Sequence, residues 1–300
     1  MANIFQLSSD VINWMPVLFG ILLLCWTYFA YVIVFCFEVV HTDIERIVYA
    51  VGFHVCCFMF VWAYIQTIIT PLPIVPHYFE VNDNDYRMLD QTSNYEAQKG
   101  FLEVLGQNRG ILTRAVDGSV RYCAACRLVK PDRCHHCSSC RKCVPKMDHH
   151  CPWFNNCVCF STYKFFLLTL FYLIVMSVFV AATIVSYIRQ TWDNVGDRFA
   201  STFHLTILVV LGFAIVIILG SFLNFHLMMV CRNETTLEGL RGPKFSNPND
   251  SFDIGCYNNF VEVFGRNRLL WLVPVFTSLG DGCRFPTRLH PNRNVYGGPV

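Results

Sequence analysis

One stretch of this chain has the residue types and spacing to do chemistry. Residues 121–160 read RYCAACRLVKPDRCHHCSSCRKCVPKMDHHCPWFNNCVCF and hold nine of the sixteen cysteines and four of the ten histidines. Cys123, Cys126, His136 and Cys143 follow the formula Cys-x2-Cys-x9-His-x6-Cys, and Cys137, Cys140, His150 and Cys157 repeat it 14 residues later. Each set offers three thiolates and one imidazole, the donors of a closed tetrahedral zinc site, so two structural zinc ions are expected. His135 and His149 obey the same shift, and on spacing alone either histidine of each pair fits. The two sets interleave, which should knit the stretch into a single unit stabilised largely by metal.

The repeat also isolates one thiol. Shifting Cys137 by 14 gives Cys151, yet the positions that would complete a third set hold Phe154, Lys164 and Phe171. Cys151 is therefore a cysteine without a metal, directly preceded by Asp148, His149 and His150. A thiol becomes a nucleophile when a neighbouring base takes its proton. His149 can be that base and Asp148 can fix its tautomer, a triad with Cys in the place of Ser. Cys134 and Cys159 also fall outside both sets, but neither follows an Asp-His pair. The plain alternative is an inert thiol beside a turn aspartate. Pro152 and Trp153 come next, and an indole there either sits at a membrane interface or packs inside.

What positions these residues is a membrane protein. Hydrophobic residues make up 54% of the 300 and charged residues only 15%, too apolar a balance for an ordinary soluble domain. Four uncharged runs, near 17–37, 48–70, 165–188 and 203–230, reach the roughly 20 residues that a helix needs to cross a bilayer. The second stops at Pro71, Pro73 and Pro76, which cannot continue a helix. The first basic residue is Arg46, so the N-terminal run lacks the basic flank of a cleaved signal and is expected to remain as an anchor. Twelve Lys and Arg lie in 71–164 and eight beyond residue 230, against one in 38–47 and two in 189–202. The positive-inside rule then places both termini and the cysteine cluster in the cytosol, the reducing compartment that thiolate ligands require. The remaining seven cysteines are scattered and suggest no disulfide framework. A net charge of +2 gives no argument for a nucleic-acid partner.

The expected fold is thus an α-helical polytopic membrane protein, with four transmembrane helices and a cytosolic zinc-binding cysteine-rich domain between the second and third. Its divisions are the first two helices over 1–70, a cytosolic linker over 71–120, the zinc domain over 121–164, the last two helices over 165–230 and a cytosolic C-terminal region over 231–300. Residues 81–110 read as a polar segment of weak helical periodicity at the membrane surface.

The motif Asp148-His149-His150-Cys151, within KMDHHCPWFNNC, together with the cluster and the four spans, resembles the DHHC family of protein S-acyltransferases (palmitoyltransferases). The resemblance covers nearly the whole chain. It implies His136 and His150 as the zinc ligands, His149 as the base, and Cys151 as the residue that takes an acyl group from acyl-CoA and passes it to a cysteine of a membrane-associated protein. The acyl group it implies is a long chain, palmitoyl foremost, with Trp153 against the substrate. Thr235-Thr236-Leu237-Glu238 matches the family's TTxE motif and implies that Thr236 supports Asp148; the same four residues also spell a helix capping box. Asn259 matches a C-terminal asparagine that serves packing. The chain departs from the family pattern at Phe154, Cys159 and Thr162, and lacks its Asp-Pro-Gly after the second span.

The expected partners are the bilayer, acyl-CoA and protein thiols, in the Golgi, endoplasmic reticulum or plasma membrane. Lys130, Arg133, Arg141, Lys142 and Lys146 offer charge to CoA phosphates, or else form the solvated face of the module. The competing class is a non-catalytic zinc-bearing membrane adaptor, which has no use for Asp148 and His149 beside an unligated Cys151. A channel would place charged residues inside the spans, and the four runs have none.

Overall fold

The computed structural model describes residues 2–92, 94–196 and 198–291, with side chains from residue 11 onward. Residues 292–300 of the expected C-terminal region lie outside the described residues. The chain divides into two units, one made of Met1–Ile69, Pro152–Asn155 and Phe165–His226, the other of Thr70–Cys151, Asn156–Lys164 and Leu227–Val300.

In chain order the elements begin with α1 (Ala2–Tyr28), which passes into a π-helical stretch over Phe29–Val39, and α2 (Asp43–Ile69). The polar segment after them forms two short helices, α3 (Asp83–Gln91) and α4 (Tyr95–Asn108), started by Asn82 and Asn94, whose side chains accept from Asp85 N and Glu96 N. Seven short strands follow, β1 (Thr113–Arg114), β2 (Tyr122–Cys123), β3 (Leu128–Val129), β4 (His135–Cys137), β5 (Lys142–Val144), β6 (His149–Cys151) and β7 (Asn156–Val158). Then come α5 (Tyr163–Asp193), α6 (Phe199–Arg232), α7 (Thr236–Leu240), β8 (Lys244–Phe245) and α8 (Cys256–Phe264).

Among the described residues four helical stretches are long and apolar enough to cross a membrane: Val11–Val39, Asp43–Ile69, Tyr163–Asp193 and Phe199–Arg232. Each covers nearly all of one expected run, and at most of the ends the helix continues into adjoining residues, among them Glu38, Asp43, Lys164, Asp193 and Arg232. The first unit packs these helices around Tyr31, Phe35, Phe53, Met176, Ile184 and Leu205. Tyr31 stacks on Phe53 with ring centroids 4.7 Å apart, and its hydroxyl lies 2.8 Å from Thr183 Oγ1. Thr67 and Thr169, both buried, meet at 3.3 Å while each also bonds the carbonyl four residues back. Such hydroxyl pairs join helices whose surroundings supply no hydrophobic drive. Outward-facing Leu22, Val51 and Ile217 are exposed, as helices bathed in hydrocarbon require.

The second unit is built from short elements. Among its described residues, two-stranded antiparallel sheets pair β1 with β8, β2 with β3, β4 with β5 and β6 with β7. Leu89 of α3 and Leu105 of α4 pack with Phe79, Val120, Val129 and Cys143, so the polar segment buries one face on the first hairpins. Cys231 and Cys256 are joined by a disulfide, a single bridge among the seven scattered cysteines. The end of α6 and the start of α8 are 25 residues apart in sequence, a meeting that no local pattern announces. Asn259 is buried and donates to Cys231 O at 2.8 Å and Asp253 Oδ1 at 2.7 Å, which ties α8 to the end of α6.

Candidate functional site

The 14-residue repeat becomes a repeat of hairpins. In β4–β5 His136 stands opposite Cys143, and in β6–β7 His150 stands opposite Cys157. Cys123, Cys137 and Cys151 occupy equivalent places, opposite Leu128, Lys142 and Asn156. Each hairpin turns through one left-handed residue, Arg127 at φ 49°, Arg141 at φ 55° and Asn155 at φ 45°. Cys151 thus opens a third turn of the same kind, in which Phe154 stands where the second ligand of the other two would be.

Adjacent residues on a strand face opposite sides, and this decides the histidine frame. His136 Nδ1 lies 3.5, 3.3 and 4.0 Å from the sulfurs of Cys123, Cys126 and Cys143. His150 Nδ1 lies 3.7, 3.4 and 3.7 Å from those of Cys137, Cys140 and Cys157. A tetrahedral zinc with ordinary bond lengths separates a sulfur from a nitrogen ligand by about 3.6 Å. In both sets all four donor atoms lie within 4.8 Å of one another. Two Cys3His clusters therefore fit two zinc ions, closed sites that would stiffen the hairpins and leave no position for a substrate. His135 faces away from the sulfurs; burial, with Arg121 beside it, pushes its imidazole down to about 4.

Opposite faces of β6 also separate His149 from His150. His149 Nδ1 is 2.6 Å from Asp148 Oδ2, and Cys151, two residues on, shares its face of β6. Asp148, only 1% exposed, accepts from Thr236 N at its Oδ1 and from Thr236 Oγ1 at its Oδ2, both at 2.8 Å. Burial works to lower the pKa of His149, but the Asp148 hydrogen bond and Cys151 outweigh it and push the imidazole up to about 9. Asp148, His149, Cys151 and Thr236 are thus brought together. A cavity of about 20 Å³ adjoining Asp148, lined also by Lys146, Tyr163, Asn233 and Glu262, has room for a water but not for a fatty chain.

Thr236 is held by a capping box: Thr235 accepts from Glu238 N, and Glu238 accepts from Thr235 N. Glu238 is buried and paired with fully buried Arg133, whose Nη2 and Nε lie 2.8 and 3.0 Å from its carboxylate oxygens. Arg133 also donates to Asn233 Oδ1 at 2.7 Å and sits over the rings of Phe252 and Phe285. Burial alone would push the Glu238 carboxyl up; Arg133 outweighs it and holds the group below the usual carboxylate range. Lys146 Nζ is 2.6 Å from buried Glu262. These contacts correct the reading of Arg133 and Lys146 as charges for CoA phosphates, since both are spent inside the unit, whereas Arg141 and Lys142 are exposed. Arg133→Met should leave Glu238 buried and unpaired at a cost of about 3–5 kcal/mol. Thermal unfolding in detergent should show a clear loss, and Arg133→Met with Glu238→Gln should regain part of it; a single variant as stable as the parent would refute the pairing.

Trp153 falls in the other unit and is 52% exposed. Its carbonyl accepts from Tyr64 Oη at 2.9 Å and its indole lies 6.3 Å from the Phe19 ring. Phe154 packs between Tyr64 and Phe166. At the departure Thr162, the hydroxyl accepts from Cys159 N and donates to Cys157 O, so it closes the turn after β7. Two groups escaped sequence reasoning. Asp132 accepts from Leu112 N, Thr113 N and Thr113 Oγ1, and Lys164, which the spacing excluded as a zinc ligand, is buried with three acceptors.

Four membrane-length helices with a paired Cys3His module between the second and third define a class of polytopic membrane protein with an unligated cysteine beside a histidine and an aspartate. The sequence profile of the DHHC palmitoyltransferase family matches residues 117–242. The chain is 42% identical over 282 residues to palmitoyltransferase ZDHHC2 of Danio rerio, covering 93% of this chain and 78% of that one. It is 40% identical over 292 residues to palmitoyltransferase ZDHHC20 of Homo sapiens, covering 96% and 80%. The chain belongs to the DHHC palmitoyltransferase family, and it is a protein S-palmitoyltransferase.

Proposed function

We propose that Cys151 carries the acyl group as a thioester between acyl-CoA and a cysteine of a membrane-associated protein, with a long chain, palmitoyl foremost, as cargo. The observation that carries this reading is the chain of hydrogen bonds from Thr236 through Asp148 to His149, with Cys151 on the same face of β6, set on a hairpin that repeats the zinc turn without its second ligand. His149 takes the thiol proton. The Cys151 sulfur then bonds to the acyl carbonyl carbon, the bond from that carbon to the CoA sulfur breaks, and CoA leaves with a proton from His149. A substrate thiol gives its proton to His149, attacks the same carbon and frees Cys151, completing a ping-pong cycle. His149, with its pKa raised to about 9 by Asp148 and Cys151, holds the proton taken from Cys151 until the departing CoA removes it.

Eight ligands, Cys123, Cys126, His136, Cys143, Cys137, Cys140, His150 and Cys157, hold the two zinc ions in this reading and take no part in the transfer. Trp153 meets the acyl chain near the bilayer boundary, where burial favours the chain by about 0.8 kcal/mol per methylene. The excess of Lys and Arg in 71–164 and beyond residue 230 supports a cytosolic zinc domain and cytosolic termini. The divisions at 70, 120, 164 and 230 are retained on the same grounds. Incubation of the full chain with radiolabelled palmitoyl-CoA, followed by peptide mapping, tests the step. Hydroxylamine-labile label on the peptide bearing Cys151, with one CoA released per acyl bound, is expected; label confined to other cysteines would overturn it.

A further inference from the structure

Residues 266–276, RNRLLWLVPVF, lie outside the four membrane-length helices, yet the run is wholly apolar after Arg268. Leu269 is 86% exposed, Leu272 54% and Phe276 50%. These side chains are presented by a fixed backbone. Asn267 caps a 3-10 turn over Arg268–Leu270, and Trp271 Nε1 donates to Gly265 O at 2.8 Å with its ring stacked beside Phe260 and Phe264. Gly265 ends α8 at φ +84°, and a Cβ there would meet Thr277 O at 2.5 Å, so the segment's two ends are pressed together.

The height of the segment follows from Lys164. Its buried Nζ donates to Leu270 O at 2.7 Å, Val275 O at 3.0 Å and Thr277 Oγ1 at 2.8 Å, and the Phe276 ring lies 5.7 Å from that of Phe160. Lys164 is in the first turn of the membrane-length helix Tyr163–Asp193. The first turn of a spanning helix sits where hydrocarbon gives way to headgroups, and carbonyls within hydrogen-bond reach of it sit there too. Leu269, Leu272 and Phe276 are therefore exposed at the depth where apolar side chains meet acyl tails.

Charge chooses among lipids. Arg266 and Arg268 are exposed at the head of the run, while the acid of the preceding helix, Glu262, is buried and paired with Lys146. The Arg268 guanidinium lies over the Tyr257 ring and bonds its hydroxyl through Nε and Nη2. Among the described residues Arg268 makes no ion pair. An exposed apolar run headed by arginines and flanked by Tyr and Trp has the composition of an interfacial anchor for anionic membranes.

We propose that residues 266–276 form an interfacial lipid anchor, in which Leu269, Leu272 and Phe276 enter the bilayer and Arg266 and Arg268 hold an anionic phospholipid headgroup. Benzoyl-phenylalanine replaces Leu272 in the full-length chain, reconstituted in nanodiscs of phosphatidylcholine with a minor fraction of phosphatidylserine. Irradiation should yield phospholipid adducts at residue 272, with phosphatidylserine enriched over its share of the bilayer by roughly fivefold per arginine. Arg266→Gln with Arg268→Gln should keep the lipid adducts and return phosphatidylserine to its share. The same probe at Phe276 guards against local misfolding at one position. Absence of lipid adducts at both positions, cross-links to protein instead, or phosphatidylserine at its bulk share in the parent chain would each overturn the proposal.

Discussion

Asp148→Asn is expected to slow formation of the acyl-enzyme by roughly 10³–10⁴-fold, by analogy with the loss of the orienting carboxylate in other nucleophile-base triads, with folding and zinc content retained. Asp148 is surrounded by donors: the Thr236 N–H and hydroxyl at 2.8 Å each and His149 Nδ1 at 2.6 Å. The backbone N–H cannot turn round. An asparagine must therefore keep its oxygen toward Thr236 N and point its amide at His149 Nδ1. That nitrogen then has to accept, the proton moves to Nε2, and the nitrogen left for Cys151 can no longer take its proton. The same change removes one of the two interactions that raise His149 to about 9, so its pKa falls toward the ordinary imidazole value. Single-turnover CoA release as a function of pH reads both effects. A rate within tenfold of the parent, on an unshifted profile, would remove Asp148 from the mechanism.

The parts of this site that were legible in the sequence are those fixed by local geometry. The 14-residue shift encodes two hairpins because ligands opposite each other on paired strands must recur at the hairpin's own period. Thr235 and Glu238 spelled a capping box because that motif closes within one turn. The histidine frame was not legible from spacing, since His135 and His136 obey the same shift; strand alternation chooses between them, and the family motif had already implied the choice. Arginine is no signal for a left-handed turn, so Arg127 and Arg141 passed unnoticed. Arg133 and Lys146 were misread as accessible charge because their partners Glu238 and Glu262 arrive 105 and 116 residues later. Burial of a charge is a tertiary fact, and no window around Arg133 contains it.

Removal of zinc is expected to unfold the hairpins of residues 121–160 altogether, and to do so in one step. The strands that carry the ligands are two or three residues long, far too short to persist without support. A structural zinc contributes about 10–16 kcal/mol of folding free energy in small modules, so the metal decides whether these strands exist. The two clusters also share a hairpin: β4–β5 carries His136 and Cys143 for the first and Cys137 for the second, with Cys140 in the turn between them. Cys140→Ser should therefore lose metal from both clusters. Zinc content should fall well below one ion per chain, trypsin should cut within 121–160, and acyl-enzyme should be absent because His150, a ligand, stands between His149 and Cys151. Cys126→Ser attacks the first cluster alone, yet opens β4–β5 from its other side and should reach the same end point. Retention of a full zinc ion with an intact hairpin in either variant would mean that the clusters fold independently, and the interlock would have to be abandoned.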